Sequence, residues 1–306
     1  MSEAENTVLG RSSGSSRAIR RKRNIFLVVM LALPVLQWLI FWLYVNFSSI
    51  MLSFQTKQGV LTFNNFTTLF HEFQVGGTIA VALKNTLRYF LNNLFIMVLA
   101  ILISYFMYRG IKGAGALRVI FYLPGIISAV VFTTVFASFI SSSNEGAYGS
   151  LCNLLGITDK KEFLADSSTA TNTILFYCVW TGFGTNILLF TGAMKRIPVS
   201  LMESAELDGC PMFRSLIEII LPLNWPTIST LIILNCTSIF SASGPILLFT
   251  KGLYETTTIG YWIFDMVYNY NNYNIVSAAG LFFTCIGVPF ILLIRWLIDK
   301  IPTAEY

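Results

Sequence analysis

His71 is the only histidine in this 306-residue chain. With Glu72 it opens like the zinc pattern H-E-x-x-H, but the second histidine is missing, so a histidine-based metal cage is excluded. The five cysteines, Cys152, Cys178, Cys210, Cys236 and Cys285, are scattered and form no C-x-x-C. They read as buried free thiols, not as a metal or redox site. A serine nucleophile has no support, because there is no G-x-S-x-G and His71 lies outside the apolar runs. A G-x-x-x-x-G-K-[ST] loop is also missing, so the chain carries no ATPase motif of its own. These residues offer no catalytic group, no metal ligands and no cofactor site.

The chemistry that remains is that of contact. Glu203 to Pro226 reads ESAELDGCPMFRSLIEIILPLNWP and follows Lys195-Arg196. Ser200-Leu-Met-Glu203 fits a capping box that opens a short helix. Asp208-Gly209 is a turn signal that ends it, and Pro211 suits the first turn of the next helix. Pro222 and Pro226 then close that helix and start an apolar span. Leu201, Met202, Ala205, Leu207, Met212, Phe213, Leu216 and Ile217 are many for a solvated loop. They either lie among lipid headgroups or fill a partner's groove.

The elements around this segment are apolar. The chain is 55% hydrophobic and 11% charged, against about 25% charged for a soluble domain. Apolar runs of membrane-crossing length fall near 25–54, 85–108, 117–140, 172–194, 227–249 and 277–298. Residues 1–24 read as a polar, basic, mobile tail and 25–300 as one six-span domain. The first run is too long for a cleavable signal core. Six spans put fourteen of the twenty Lys and Arg on one side, with Arg17, Arg20, Arg21, Lys22 and Arg23 at its head, and six on the other. The positive-inside rule then places both termini in the cytoplasm. Nucleic-acid binding is the weaker reading of the basic cluster, since no soluble basic domain follows. Outside, NYNNYN at 269–274 is either a sugar contact or a solvated loop with interfacial tyrosines.

Several spans carry helix-disturbing residues: Pro34, Pro124-Gly125, Gly182 and Gly184, Gly244-Pro245, and Gly287 with Pro289. Such breaks are tolerated in a bilayer where protein or a watery cavity satisfies the freed backbone groups. Asn92, Asn93, Thr181, Asn186, Asn235, Thr237, Ser238 and Ser241 place polar groups in the same spans. Ionisable groups are nearly absent from span centres. A secondary carrier driven by protons or sodium commonly needs them, so that reading, for a polar solute, is the alternative.

The segment after Lys195-Arg196 closely resembles the EAA loop of binding-protein-dependent ABC importer permeases. The family pattern is EAA-x-x-DGA, then phenylalanine, then I-x-LP. Glu203, Ala205, Asp208, Gly209, Phe213, Ile219, Leu221 and Pro222 stand at that spacing, with Ser204 and Cys210 where alanine is usual. Weaker matches extend over nearly the whole chain after the tail: Asn64-Asn65-Phe66, Asn85-Thr86, FYLP at 121–124, Phe163-Leu164 with Asp166, Trp180, and Phe249-Thr250 with Gly252. They point to the maltose and glycerol-phosphate type of carbohydrate permease. A permease for a non-sugar substrate is the further alternative.

The resemblance implies an all-α polytopic membrane protein with six transmembrane helices, a type I importer permease. Residues 197–222 would form the coupling helices, with Glu203, Ala205, Asp208, Gly209, Cys210, Phe213, Leu221 and Pro222 at the ATPase. It implies a second homologous permease, an ATPase dimer holding ATP and Mg, and an extracellular or periplasmic substrate-binding protein, in a bacterial cell membrane. Carried over by position, a carbohydrate path would run past Cys178, Trp180, Gly182, Thr237, Ser238 and Ser241. Cys178, Thr237 and Ser238 are equally the small polar residues with which membrane helices pack.

Overall fold

A computed structural model describes residues 2–74, 77–241 and 243–301. Met1 of the expected tail, and residues 75–76 and 242 of the expected span region, lie outside them. The described chain is helical, apart from turns and one isolated bridge between Gln55 and Leu61. Four stretches are long and apolar enough to cross a bilayer: Ile19–Ser53, Thr78–Tyr108, Ala170–Met194 and Tyr273–Ile298. Two bent pairs, Ala114–Ile126 with Ala129–Ile140 and Met212–Leu223 with Trp225–Thr237, bring the number to as many as six if each pair is one crossing.

The first crossing comprises α1 (Ser2–Gln37), a π-helical turn at Trp38–Tyr44 and α2 (Val45–Ser53). Its backbone is helical from Ser2, through the basic stretch read as a tail. Between Ile25 and Phe47 its side chains are exposed, and Trp38 stacks on Trp42 at 5.1 Å. Its C-terminal end, α2, packs on the last helix, α15 (Tyr273–Ile298). Buried Asn274 donates there to Leu52 O and Gln55 O. Asn65, on α3 (Asn64–Gln74), donates to Ser53 O and Gln55 O.

The centre is the pair α4 (Thr78–Tyr108) and α8 (Ala170–Met194), with α5 (Ala114–Ile126) against α8. Small residues set their spacing. A methyl added at Gly182 would lie 3.1 Å from Ile96, and one at Gly184 would lie 3.0 Å from Phe121 O. Helices in lipid gain from such close approach because apolar burial alone does not drive them together.

Two expected spans are not straight. The third breaks at Ile127–Ser128, where the backbone is extended, and α6 (Ala129–Ile140) leaves α5 at 106°. Pro124, which has no N–H to donate, weakens the turn just before the break. The expected fifth span, 227–249, is helical only in α12 (Trp225–Thr237) and in the short α13 (Ile246–Phe249). Serines and Gly244-Pro245 fill the gap, and Gly244 has φ +51 beside the Tyr89 ring.

α7 (Ala147–Leu154) lies before Asp166 in the 141–169 connection. The hydroxyl and amide of Ser168 hold the Asp166 carboxyl below the usual carboxylate range. The loop before α14 (Ile259–Tyr268) is knotted to α4. Asn85 donates to Glu255 O at 2.6 Å and Thr257 O at 2.9 Å, and Thr86 accepts from Ile259 N. Lys251, Tyr254 and Glu255 have positive φ in that loop. Replacing Asn85 by leucine removes its donor from Thr257 O and leaves Glu255 O with only the Thr171 hydroxyl at 3.5 Å, at about 1–3 kcal/mol for an orphaned carbonyl. A thermal unfolding midpoint several degrees lower in detergent is expected; an unchanged midpoint would remove Asn85 from the knot.

Candidate functional site: a coupling turn and a polar cavity

α9 (Val199–Leu207) starts at Pro198, which stands at the N-cap without a side-chain hydrogen bond. The expected capping box is therefore not formed. Ser200 and Glu203 sit inside the helix, where Glu203 is too far along to reach the first free amide. Glu203 is exposed. The other end of α9 follows the expectation closely. Gly209 has φ +71, its N–H donates to Glu206 O, and Cys210 N–H donates to Ala205 O. This is a Schellman motif, in which a left-handed residue turns the chain back on the last carbonyls. Gly209 thus has a backbone reason for standing where it does, while Ala205 and Cys210 contribute a carbonyl and an N–H that most residues could supply.

Pro211 is the N-cap of α10 (Met212–Ser215), one position ahead of its expected place. A π-helical stretch, Leu216–Ile220, and α11 (Leu221–Leu223) carry the segment to Asn224. There the path turns by 72° into α12. Buried Asn224 accepts from Thr227 N and Ile228 N and returns its own amide to Ile220 O.

The turn has two faces. Ile197, Met202, Leu216 and Ile220 are buried in one cluster with Ile96, Ile101 and Tyr105 of α4 and Phe190 and Met194 of α8. Leu207 (89% exposed), Phe213 and Ile217 point outward, beside exposed Glu203 and Asp208. Three contacts tie the turn to the end of α4. Buried Tyr105 donates its hydroxyl to Met212 O at 2.8 Å, Arg109 pairs with Glu206, and Phe106 meets Phe213 edge-on. None of these pairs was visible in sequence, where the partners stand about a hundred residues apart.

A matching family description, the inner membrane component of binding-protein-dependent transport systems, covers residues 86–302. The chain belongs to this family. Among related permeases, the multiple sugar-binding transport system permease MsmF of Streptococcus mutans is 25% identical over 88% of this chain and 93% of its own length. The probable ABC transporter permease YesP of Bacillus subtilis is 28% identical over 64% of this chain and 65% of its own. A solved bacterial alginate ABC transporter, in complex with its alginate-bound periplasmic protein, superposes with TM-score 0.79. It is 27% identical, over 93% of this chain and 98% of that one.

Within the permease body lies a cavity of about 270 Å³ lined by Asn93, Ile96, Tyr177, Cys178, Thr181, Gly182, Asn186, Asn235 and Pro245. α4, α8 and α12 each give it one asparagine. Cys178 and Gly182 of the expected path line it, and Thr181 sits one turn beyond Tyr177. Trp180 faces elsewhere. It meets Phe132 at 5.0 Å and lines an apolar groove of about 830 Å³ between α6 and α8. Thr237, Ser238 and Ser241 are exposed where α12 ends, each bonded to a carbonyl three residues back.

Proposed function

We propose that this chain is one of two different permease subunits of an ATP-driven carbohydrate importer. The outward face of the coupling turn carries the reading. Leu207, Phe213 and Ile217 expose apolar side chains along the turn, which also exposes Glu203 and Asp208, while its other face is fixed in the body. Such a surface fits a groove on a separate ATPase dimer, which would hold ATP and Mg. This chain would bind neither and would hydrolyse nothing. Glu203, Ala205, Asp208, Gly209, Cys210, Phe213, Leu221 and Pro222 form or brace the contact. Relatives named for maltose, multiple sugars, diacetylchitobiose and alginate support a saccharide as the solute. The second permease and the outer substrate-binding protein follow from the same kinship. Both termini then lie in the cytoplasm of a bacterial cell, with residues 1–24 as the basic stretch and 197–222 as the coupling segment within 25–300.

Reconstitution with the neighbouring permease, ATPase and binding protein tests this. ATP-dependent saccharide uptake is expected, and its failure with an assembled complex would refute it. Cys178, Thr237→Cys and Ser241→Cys, labelled with a water-soluble thiol reagent, test the path. Substrate is expected to slow labelling several-fold at Cys178. No labelling in any transport state would remove these positions from the path.

A further inference from the structure

We infer that the wall this chain gives the cavity selects uncharged saccharides against acidic ones; the inference rests on the carbohydrate reading above. The nine lining residues carry no charged side chain. Among the described residues no charged side chain is buried anywhere, and the buried polar complement is Ser, Thr and Asn. A carboxylate that leaves water needs a cation or several donors, and its transfer is otherwise heavily opposed.

The asparagines sharpen the selection. Asn186 spends one amide N–H on Gly182 O and Asn235 spends one on Leu231 O. Thr181 spends its hydroxyl proton on Tyr177 O. Asn186 and Asn235 each keep one N–H and Asn93 keeps both, beside amide and hydroxyl oxygens with free lone pairs, so the wall offers neutral donors and acceptors together. A sugar hydroxyl can use both kinds at once. A uronate carboxylate is acceptor-only, leaves the amide oxygens unused and finds no cation in this wall. The chain shares its fold with an alginate importer, so shape alone does not decide between the two ligand classes; the cavity's polarity does.

The native binding protein, purified from its host with its ligand, is delivered to proteoliposomes holding the whole transporter. The ligand is then released and its charge read by mass spectrometry. An uncharged saccharide that is taken up is the expected result. A uronate, sulfated or phosphorylated saccharide would overturn the inference and leave the importer reading standing. A ligand that is no saccharide would overturn both. A second arm acts on the wall itself. Asn186→Leu and Asn93→Ala are each expected to lower uptake about tenfold, the scale of one lost hydrogen bond. Copurification of the ATPase shows that each variant has assembled. Unchanged uptake by both assembled variants would overturn the cavity's role.

Discussion

Gly209→Val is expected to lower substrate-stimulated ATP hydrolysis and uptake by at least about tenfold, with the spans still inserted. Gly209 has φ +71, and its N–H and that of Cys210 close α9 on Glu206 and Ala205. A side chain in the left-handed region costs about 1–2 kcal/mol, more when β-branched. Relaxing that strain opens the cap and re-aims Leu207 and Phe213. Space within this chain is not the obstacle, since a methyl at Gly209 would meet nothing within 4 Å. Asparagine, which tolerates the left-handed region, separates two causes. A functional Gly209→Asn means that conformation is what matters. A dead Gly209→Asn that still assembles means that the ATPase approaches this backbone closely. Full transport by Gly209→Val would refute the role of the turn.

The tie between the turn and α4 carries the second large effect. Tyr105→Phe deletes only a hydroxyl; Met212 O keeps its bond from Leu216 N–H, so the loss is one hydrogen bond, about 0.5–1.5 kcal/mol. Arg109→Glu sets a second carboxylate against Glu206. The pair is partly exposed, so its own contribution is modest, on the order of 1 kcal/mol or less. The combined variant Tyr105→Phe/Arg109→Glu should therefore act through geometry, by loosening the turn from the helix. More ATP consumed per saccharide moved is the expected signature, and a merely structural defect would lower both together. Glu206→Arg added to Arg109→Glu should recover part of the ratio. A ratio that never moves would show that the tie does not transmit.

The apolar crossings were legible because membrane-length hydropathy is a property of contiguous residues. Gly209 was legible because a left-handed turn leaves few choices of residue. Ser200 and Glu203 misled because S-x-x-E states a spacing, while Pro198 already fixes where the helix can start. The fifth crossing misled because Ser238 to Pro245 are apolar enough to pass as span but cannot keep a helix through Gly244-Pro245. Trp180 was carried over by position along the chain, and position says nothing about which side of α8 it takes. Tyr105 and Arg109 were silent, since a bond to a backbone carbonyl or a carboxylate about a hundred residues away leaves no local pattern. The three asparagines were visible as polar intrusions, but only the packing of α4, α8 and α12 gathers them.

α4 has one further property. It touches the coupling turn through Tyr105, the cavity through Asn93 and Ile96, and the outer knot through Asn85. Tyr105 and Asn85 are twenty residues apart, about 30 Å along a helix axis. A tilt of roughly 5° about the inner end would sweep the outer end by about 2.6 Å over that length, enough to part the Asn85 amide from its carbonyls. On the proposed reading, α4 would act as a lever between the coupling turn and the 250–259 knot, and a small displacement imposed on the turn by an ATPase would be felt as a strain on the Asn85 contacts.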